Sequence, residues 1–372
     1  MFRLDRTTKR IFISSAACYL VAVAVLLVSV AFAGSSSSMS RSKVSRLPTA
    51  PFSIDAGLTS VWTGKELIVS GQTGAAPDRS LLNAVDVAAA YNPATKTWRR
   101  LADPPKTENY CRRSAVWTGE EMLVWGCSQL AYNPQTDTWR RLQPAPTRHG
   151  IAVWTGKELI GWGGGCCGDA DAGGSAYNPA TNTWRTFASS PLAASQDPAG
   201  AWTGRELVLL VSGRDPEGKP VAGAARAAAY NPEADTWHVI APAPASVRPT
   251  SAAWNGRELI VLAAERGMSV ALAYDPAANR WRRLETIGQD AGQGRVLSTG
   301  RTVLFLNRSL ELVYFPTEDR WQPLPRRRLG RRLDSAAVWT GQQLIVFDGA
   351  RAVALTPPRH APPELPQCCG GG

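Results

Sequence analysis

One short alternation of apolar and polar positions recurs along most of the chain. An apolar residue, Trp, Thr-Gly and two polar residues are followed by a run of apolar ones. It stands as VWTGKELIV at 61–69, VWTGEEMLV at 116–124, VWTGKELIG at 153–161, AWTGRELVL at 201–209, AWNGRELIV at 253–261 and VWTGQQLIV at 338–346, with a degenerate copy, LSTGRTVLF, at 297–305. Asn255-Gly256 between two apolar runs signals a two-residue hairpin turn in which both residues need positive φ, and the Thr-Gly copies predict the same turn. The segment after the turn is continuously apolar, as in Leu207 to Val211 and Val303 to Leu306, which predicts a strand covered on both faces.

A second phrase follows every first one but the last: AYNPATKTW at 90–98, AYNPQTDTW at 131–139, AYNPATNTW at 176–184, AYNPEADTW at 229–237, AYDPAANRW at 273–281 and VYFPTEDRW at 313–321. Asn92-Pro93 sets up a type I turn between a strand ending at Tyr91 and one beginning near Thr97. Each unit therefore holds four strands, a and b around Thr-Gly, then c and d around Asn-Pro. Successive first phrases lie 37 to 55 residues apart, the spacing of β-propeller blades, whose faces are buried only by stacking on neighbours. The seventh unit has strands a and b and a candidate c at Arg351 to Leu355, but no Trp strand follows it. The segment VSRLPTAP at 44–51 is similar to the Trp-strand tails WRRLADPP at 98–105 and WRRLQPAP at 139–146, so it is expected to supply the missing strand d and close a seven-bladed ring. The competing arrangement is a six-bladed ring with an extra terminal sheet.

Glycine after strand b, then Tyr, Asn-Pro and Trp, resembles the Kelch repeat family of propellers, of the kind seen in the central domain of galactose oxidase. The resemblance covers residues ~44–356 and implies an all-β fold of four-stranded blades. The family's paired glycines after strand b are intact only in the third unit, at Gly163 to Gly165.

Composition agrees with this reading. Hydrophobic residues at 44% and charged residues at 19% exclude a disordered chain, and 33 Gly with 27 Pro exclude a helical bundle. At 372 residues the chain exceeds the length at which a single core stops growing, which a modular ring avoids.

Residues 11–33 are uncharged behind Arg3, Arg6, Lys9 and Arg10, an export signal read either as a retained membrane-spanning helix or as a signal peptide cleaved after Ala33. The expected organisation is then 1–33 signal or anchor, 34–43 a Ser-rich spacer, 44–356 the propeller and 357–372 a Pro/Gly-rich tail, with the propeller outside the cytoplasm. The formal charge of +11 would suit nucleic acid, anionic lipid or acidic polysaccharide, and export argues against the first.

The Thr-Gly and Asn-Pro turns hardly vary, whereas the b-to-c and d-to-next-a connections do: 70–87, 163–175 and 211–227 are long and that of the second unit is short. Uniform turns belong to the scaffold and divergent loops to recognition, so the variable face is the candidate binding face. Just before each strand a, at the mouth of the central channel, stand Arg113, Arg148 and His149, Asp197, Arg248, Arg295, and Arg332 with Asp334. These are the candidate ligand-binding residues, because guanidinium groups capture carboxylate, sulfate or phosphate in a two-pronged fashion. The Glu recurring after Thr-Gly, as in Glu66 and Glu258, reads as a solvated turn residue, and the repeat Trp and Tyr as packing. Trp125 and Trp162, outside both phrases and near the variable face, are additional candidates for ligand contact.

No cofactor, metal or catalytic residue is expected. Galactose-oxidase chemistry needs more His and Tyr than His149, His238, His360 and the one non-repeat Tyr110 can give, and Asp169 to Gly173 lacks the closing Glu of an EF-hand loop. Cys111 and Cys127 flank the Thr118-Gly119 turn at nearly opposed positions and are a disulfide candidate in an exported chain. The expected function is an extracytoplasmic binding module for an envelope protein or anionic glycan. The alternative is a carbohydrate-active enzyme, mutarotase- or lyase-like, using Arg and Asp at the channel mouth.

Overall fold

The computed structural model describes residues 43–74, 84–107, 113–126, 129–147, 150–165, 169–212, 226–244, 247–284, 288–289, 294–306, 311–324, 336–349 and 351–358. The first strand, β1 (Lys43–Arg46), is set apart from its neighbours in sequence. Blade 1 comprises β2 (Ala56–Trp62), β3 (Leu67–Thr73), β4 (Val85–Asn92) and β5 (Thr97–Arg100). Blade 2 holds β6 (Ser114–Trp117), β7 (Met122–Trp125), β8 (Leu130–Asn133) and β9 (Thr138–Arg141), and blade 3 holds β10 (Ile151–Trp154), β11 (Leu159–Trp162), β12 (Gly174–Asn178) and β13 (Thr183–Thr186). Blade 4 is β14 (Ala199–Trp202), β15 (Leu207–Leu210), β16 (Ala227–Asn231) and β17 (Thr236–Val239). Blade 5 is β18 (Arg248–Trp254), β19 (Leu259–Glu265), β20 (Met268–Asp275) and β21 (Arg280–Arg283), with the two-residue β22 (Gly288–Gln289) paired to β20. Blade 6 runs β23 (Arg295–Ser298), β24 (Val303–Leu306), β25 (Glu311–Phe315) and β26 (Arg320–Pro323), and blade 7 runs β27 (Ala337–Trp339), β28 (Leu344–Phe347) and β29 (Ala352–Thr356).

The ring closes as the tail-like sequence at 44–51 predicts. β1 pairs antiparallel with β29, Lys43 opposite Thr356 and Arg46 opposite Val353, and completes the sheet of blade 7. Its continuation also plays the part of a strand-d tail. Leu47 N–H donates to the Ala352 carbonyl at 2.9 Å, as Leu101 N–H does to Ala88 at 3.0 Å in blade 1. The Pro48 carbonyl accepts from Trp98 Nε1 at 2.8 Å, as Ala102 accepts from Trp139. The seven strands a, which are β2, β6, β10, β14, β18, β23 and β27, touch in consecutive pairs all the way round, β27 against β2 included, and so line the axis. The six-bladed alternative is excluded.

Among the described residues the apolar side chains do not gather into one central core. Seven apolar clusters occupy the seven junctions between blades. Strand b shows why its sequence is apolar throughout: Leu67 and Val69 join the cluster against blade 7 while Ile68 joins the one against blade 2, because side chains alternate across a strand. Leu344 and Val346 divide from Ile345 and Phe347 in the same way.

The first-phrase turns differ from the expected two-residue type. Trp62 pairs with Leu67, so Thr63 to Glu66 form a four-residue loop. Thr63 Oγ1 accepts from the N–H groups of Lys65 (3.2 Å) and Glu66 (2.9 Å), and Asn255 Oδ1 does the same for Arg257 and Glu258. The side-chain oxygen satisfies the turn, leaving positive φ only at the glycine, 90° at Gly64 and 98° at Gly256. The two-residue turn with both φ values positive occurs instead in blade 5 between strands b and c, at Arg266 (49°) and Gly267 (79°).

Candidate functional site

Both ends of the ring are built from the same residue types, used differently. At the uniform end, each repeat Tyr faces its Trp across strands c and d, with ring centroids 5.2 Å apart for Tyr91 and Trp98 and 4.8 Å for Tyr132 and Trp139. The residue one before strand d adopts positive φ, as at Asp137 (52°), Asn182 (54°), Asp235 (51°), Asn279 (45°) and Asp319 (49°), a conformation that Asn and Asp tolerate better than most. Its side chain accepts the Tyr hydroxyl of the same blade, 2.7 Å from Tyr132 to Asp137 and from Tyr230 to Asp235. The Ala102 amide of blade 1 also donates to Asp137, at 3.0 Å, so the turn is clamped to the preceding blade. This amide and then Tyr132 hold the Asp137 carboxyl below its ordinary range, while the Tyr230 hydroxyl followed by the Ala188 amide does so for Asp235. Burial first, and nearby carboxylates after it, push Tyr274 up to about 12.

The recurrent Glu is not a free turn residue. Glu66, Glu121, Glu158 and Glu258 pair with Arg99, Arg140, Arg185 and Arg282, the residues following the strand-d Trp, at 2.9, 2.6, 2.8 and 3.0 Å. Arg140, Arg185 and Arg282 reach on to Tyr177, Tyr230 and Tyr314 of the next blade, so each joins three groups. Blade 4 carries His238 here, 3.8 Å from Glu206. The matched recurrence of Glu in the first phrase and Arg after the second was the available signal for this pairing.

The variable end divides the predicted residues. Arg148, His149, Arg332 and Asp334 lie outside the described residues, as do Cys111, Cys127 and residues 1–42. Arg113 is withdrawn from the surface: its side chain is 3% exposed and pairs at 2.9 Å with Asp86, itself 1% exposed. Thr107 donates through its amide (2.9 Å) and hydroxyl (2.7 Å) to the same carboxylate, Arg113 also reaches the Thr107 hydroxyl, and Gln72 donates to that hydroxyl at 3.2 Å. Arg113 Nε lies over the glycine at 57, whose φ is +60° and where a Cβ would come within 3.2 Å. This arginine therefore fastens blade 1 to blade 2 and is no part of an open ring.

Asp197, Arg248 and Arg295 lie at the same end of three consecutive blades. They stand at or just before the start of β14, β18 and β23, which are the axis-lining strands of three consecutive blades in mutual contact. The Val296 amide donates to Ser251 Oγ at 3.0 Å, fixing the start of β23 against β18. Arg248 is exposed, and its side chain makes no hydrogen bond or ion pair with a described residue; Asp197 is also exposed, and Arg295 is half-buried. Trp125 and Trp162 are buried in blade junctions, which removes them from ligand contact and makes them packing residues. Among the described residues no cluster of His, Cys, Asp or Glu is arranged to hold a metal, and no helix is long and apolar enough to cross a membrane.

No family model and no curated protein matches the chain. Solved structures do. An oligogalacturonate lyase in complex with manganese is 11% identical with a TM-score of 0.54, covering 86% of this chain and 99% of that one. The oligogalacturonate lyase of Vibrio parahaemolyticus is 9% identical with a TM-score of 0.54, covering 85% and 97%. A chain of the mitotic checkpoint complex is 12% identical with a TM-score of 0.56, covering 84% and 90%. At these identities the likeness is one of fold, and it supports the propeller without carrying over any residue's role.

Proposed function

We propose that this chain is a Kelch-type propeller of the cell envelope, its ring outside the cytoplasm, which recognises an anionic glycan at the variable-loop face. The observation that carries the reading is the free guanidinium of Arg248 at the axis-lining edge of blade 5, with Arg295 on the neighbouring strand and Asp197 on the strand before. Guanidinium groups on adjacent strands suit the repeating carboxylates of a uronate chain, and a nearby carboxylate can accept sugar hydroxyls. Binding by such groups is salt-sensitive, because Arg248 and Asp197 are exposed.

A second reading, that the same face performs elimination on such a chain, is favoured by the two structural neighbours described as oligogalacturonate lyases. The two readings share a ligand class and separate on turnover. Titration of the protein with polygalacturonate and with neutral dextran, at low and high salt, tests the first. The expected result is saturable binding to the acidic polymer alone, weakened about ten-fold in Arg248→Ala, equivalent to the ~1.4 kcal/mol of one lost charged contact. Equal binding of both polymers overturns it. Growth of ultraviolet absorbance from a new conjugated double bond, lost in Arg295→Ala, establishes the second.

A further inference from the structure

The uniform end carries a feature that the glycan reading does not use. The position after each Thr-Gly or Asn-Gly is exposed in all seven blades and reads Lys65, Glu120, Lys157, Arg205, Arg257, Arg301 and Gln342. Five of the seven are cationic. These hairpins join strands a and b, the innermost pair of each blade, so the cations encircle the axis. The side chains of Lys65, Lys157, Arg205, Arg257 and Arg301 form no ion pair with a described residue, whereas the adjacent Glu66, Glu158 and Glu258 are already tied outward to arginines. Glu120 is the one acidic residue among the seven tips, and the c-to-d turns farther out carry both signs, with Lys96, Arg280 and Arg320 among their acidic groups. Asp137, Asp235 and Asp319 there are held by tyrosine hydroxyls, and Glu233 and Glu318 sit beside them. The inner ring of tips is thus predominantly positive, five cations to one carboxylate, while the rim is mixed.

The same end is where the described chain begins. Lys43 lies opposite Thr356, and Thr356 Oγ1 accepts from Gln343 Nε2 of the seventh hairpin loop, so Lys43 belongs to the uniform end. The sequence leading into Lys43 is the uncharged run 11–33 and the Ser-rich spacer. Nine spacer residues extend at most ~30 Å. We infer that the uniform end faces the bilayer, with the inner basic ring against anionic lipid headgroups and the variable face turned away from the membrane. This rests on the reading of residues 11–33 as a retained span, and it is independent of what the variable face binds.

The full-length protein in lipid nanodiscs tests it, with a membrane-impermeant amine reagent and mass spectrometry reporting labelling at Lys65, Lys157 and Lys106. Lys106 is exposed on the connection from blade 1 to blade 2 and serves as the variable-end reference. Discs containing about a third phosphatidylglycerol are expected to slow labelling of Lys65 and Lys157 several-fold relative to pure phosphatidylcholine, with recovery at high salt and no change at Lys106. The variant Arg205→Gln/Arg257→Gln/Arg301→Gln changes only exposed loop residues and should abolish most of that difference, since each cation near an anionic surface contributes roughly five-fold. Equal labelling in both disc types, protection at Lys106 in place of Lys65, protection by soluble heparin but not by anionic discs, or loss of the chain from the discs by cleavage each overturns the inference. Glycan binding at Arg248 would survive any of these results, so the two readings fail separately.

Discussion

Arg113 and Arg248 both stand at the lead into a strand a, four and six residues before its Trp, and meet opposite fates. Around Arg113, blade 1 extends its b and c strands to Thr73 and Val85, which brings Asp86 and Gln72 over the junction and buries the guanidinium with a carboxylate. Around Arg248, blade 5 turns back through Arg266-Gly267, no described carboxylate forms an ion pair with it, and it stands exposed. A repeat position fixes where the backbone goes. What the side chain does depends on which connection the neighbouring blade has lengthened.

The largest effect should come from breaking the buried member of this pair. Arg113→Met leaves buried Asp86 without its charged partner and is expected to destabilise the protein by about 3–5 kcal/mol, measured by urea unfolding. The double variant Arg113→Met/Asp86→Leu should recover much of that loss. If Arg113→Met unfolds at the wild-type midpoint, the buried pair is not a fastening.

A smaller effect tests whether the uniform end is held by its pairs in proportion to their burial. Glu258 is 11% exposed and bonds Arg282, so Glu258→Gln is expected to lose about 1 kcal/mol. Glu206 has as its ion-pair partner the exposed His238 at 3.8 Å, and Glu206→Gln should change the midpoint by less than about 0.5 kcal/mol. Equal losses would show that the charge pairing is incidental.

The smallest effect concerns Asp137 and Asp235. Their carboxyls are depressed in the fold, so they contribute stability above the ordinary carboxylate range and lose it as pH falls through the depressed value. Asn182 and Asn279 accept the equivalent tyrosine bonds at 2.7 and 2.9 Å, so Asp137→Asn/Asp235→Asn should be near neutral at pH 7. The gap between its urea midpoints at pH 7 and at about pH 3 should be narrower than that of the unaltered protein. An unchanged gap would place the acid sensitivity elsewhere.

The architecture was legible because it is written in repetition. Trp98, Trp139 and their counterparts mark each strand d, and the tail-like VSRLPTAP announced the closing strand by its likeness to the others. The ends of the ring were harder to read. Glu66 and Arg99 are far apart in sequence, and nothing local says that the two intervening connections bring them together. Asp86 lies in a stretch without a repeat signature, so the burial of Arg113 left no periodic trace. Repetition reports what every blade shares, whereas recognition resides in what one blade does alone.

The seam between Lys43 and Thr356 has a temporal consequence. The earliest part of the propeller to be synthesised has no partner until the last blade exists, so it must wait, unpaired, through nearly the whole of translation or translocation. Six blades can stack one upon another while still carrying two open sides. Only arrival of the final strands lets the ring meet itself, and a chain halted before them would present raw sheet edges to its neighbours at both ends.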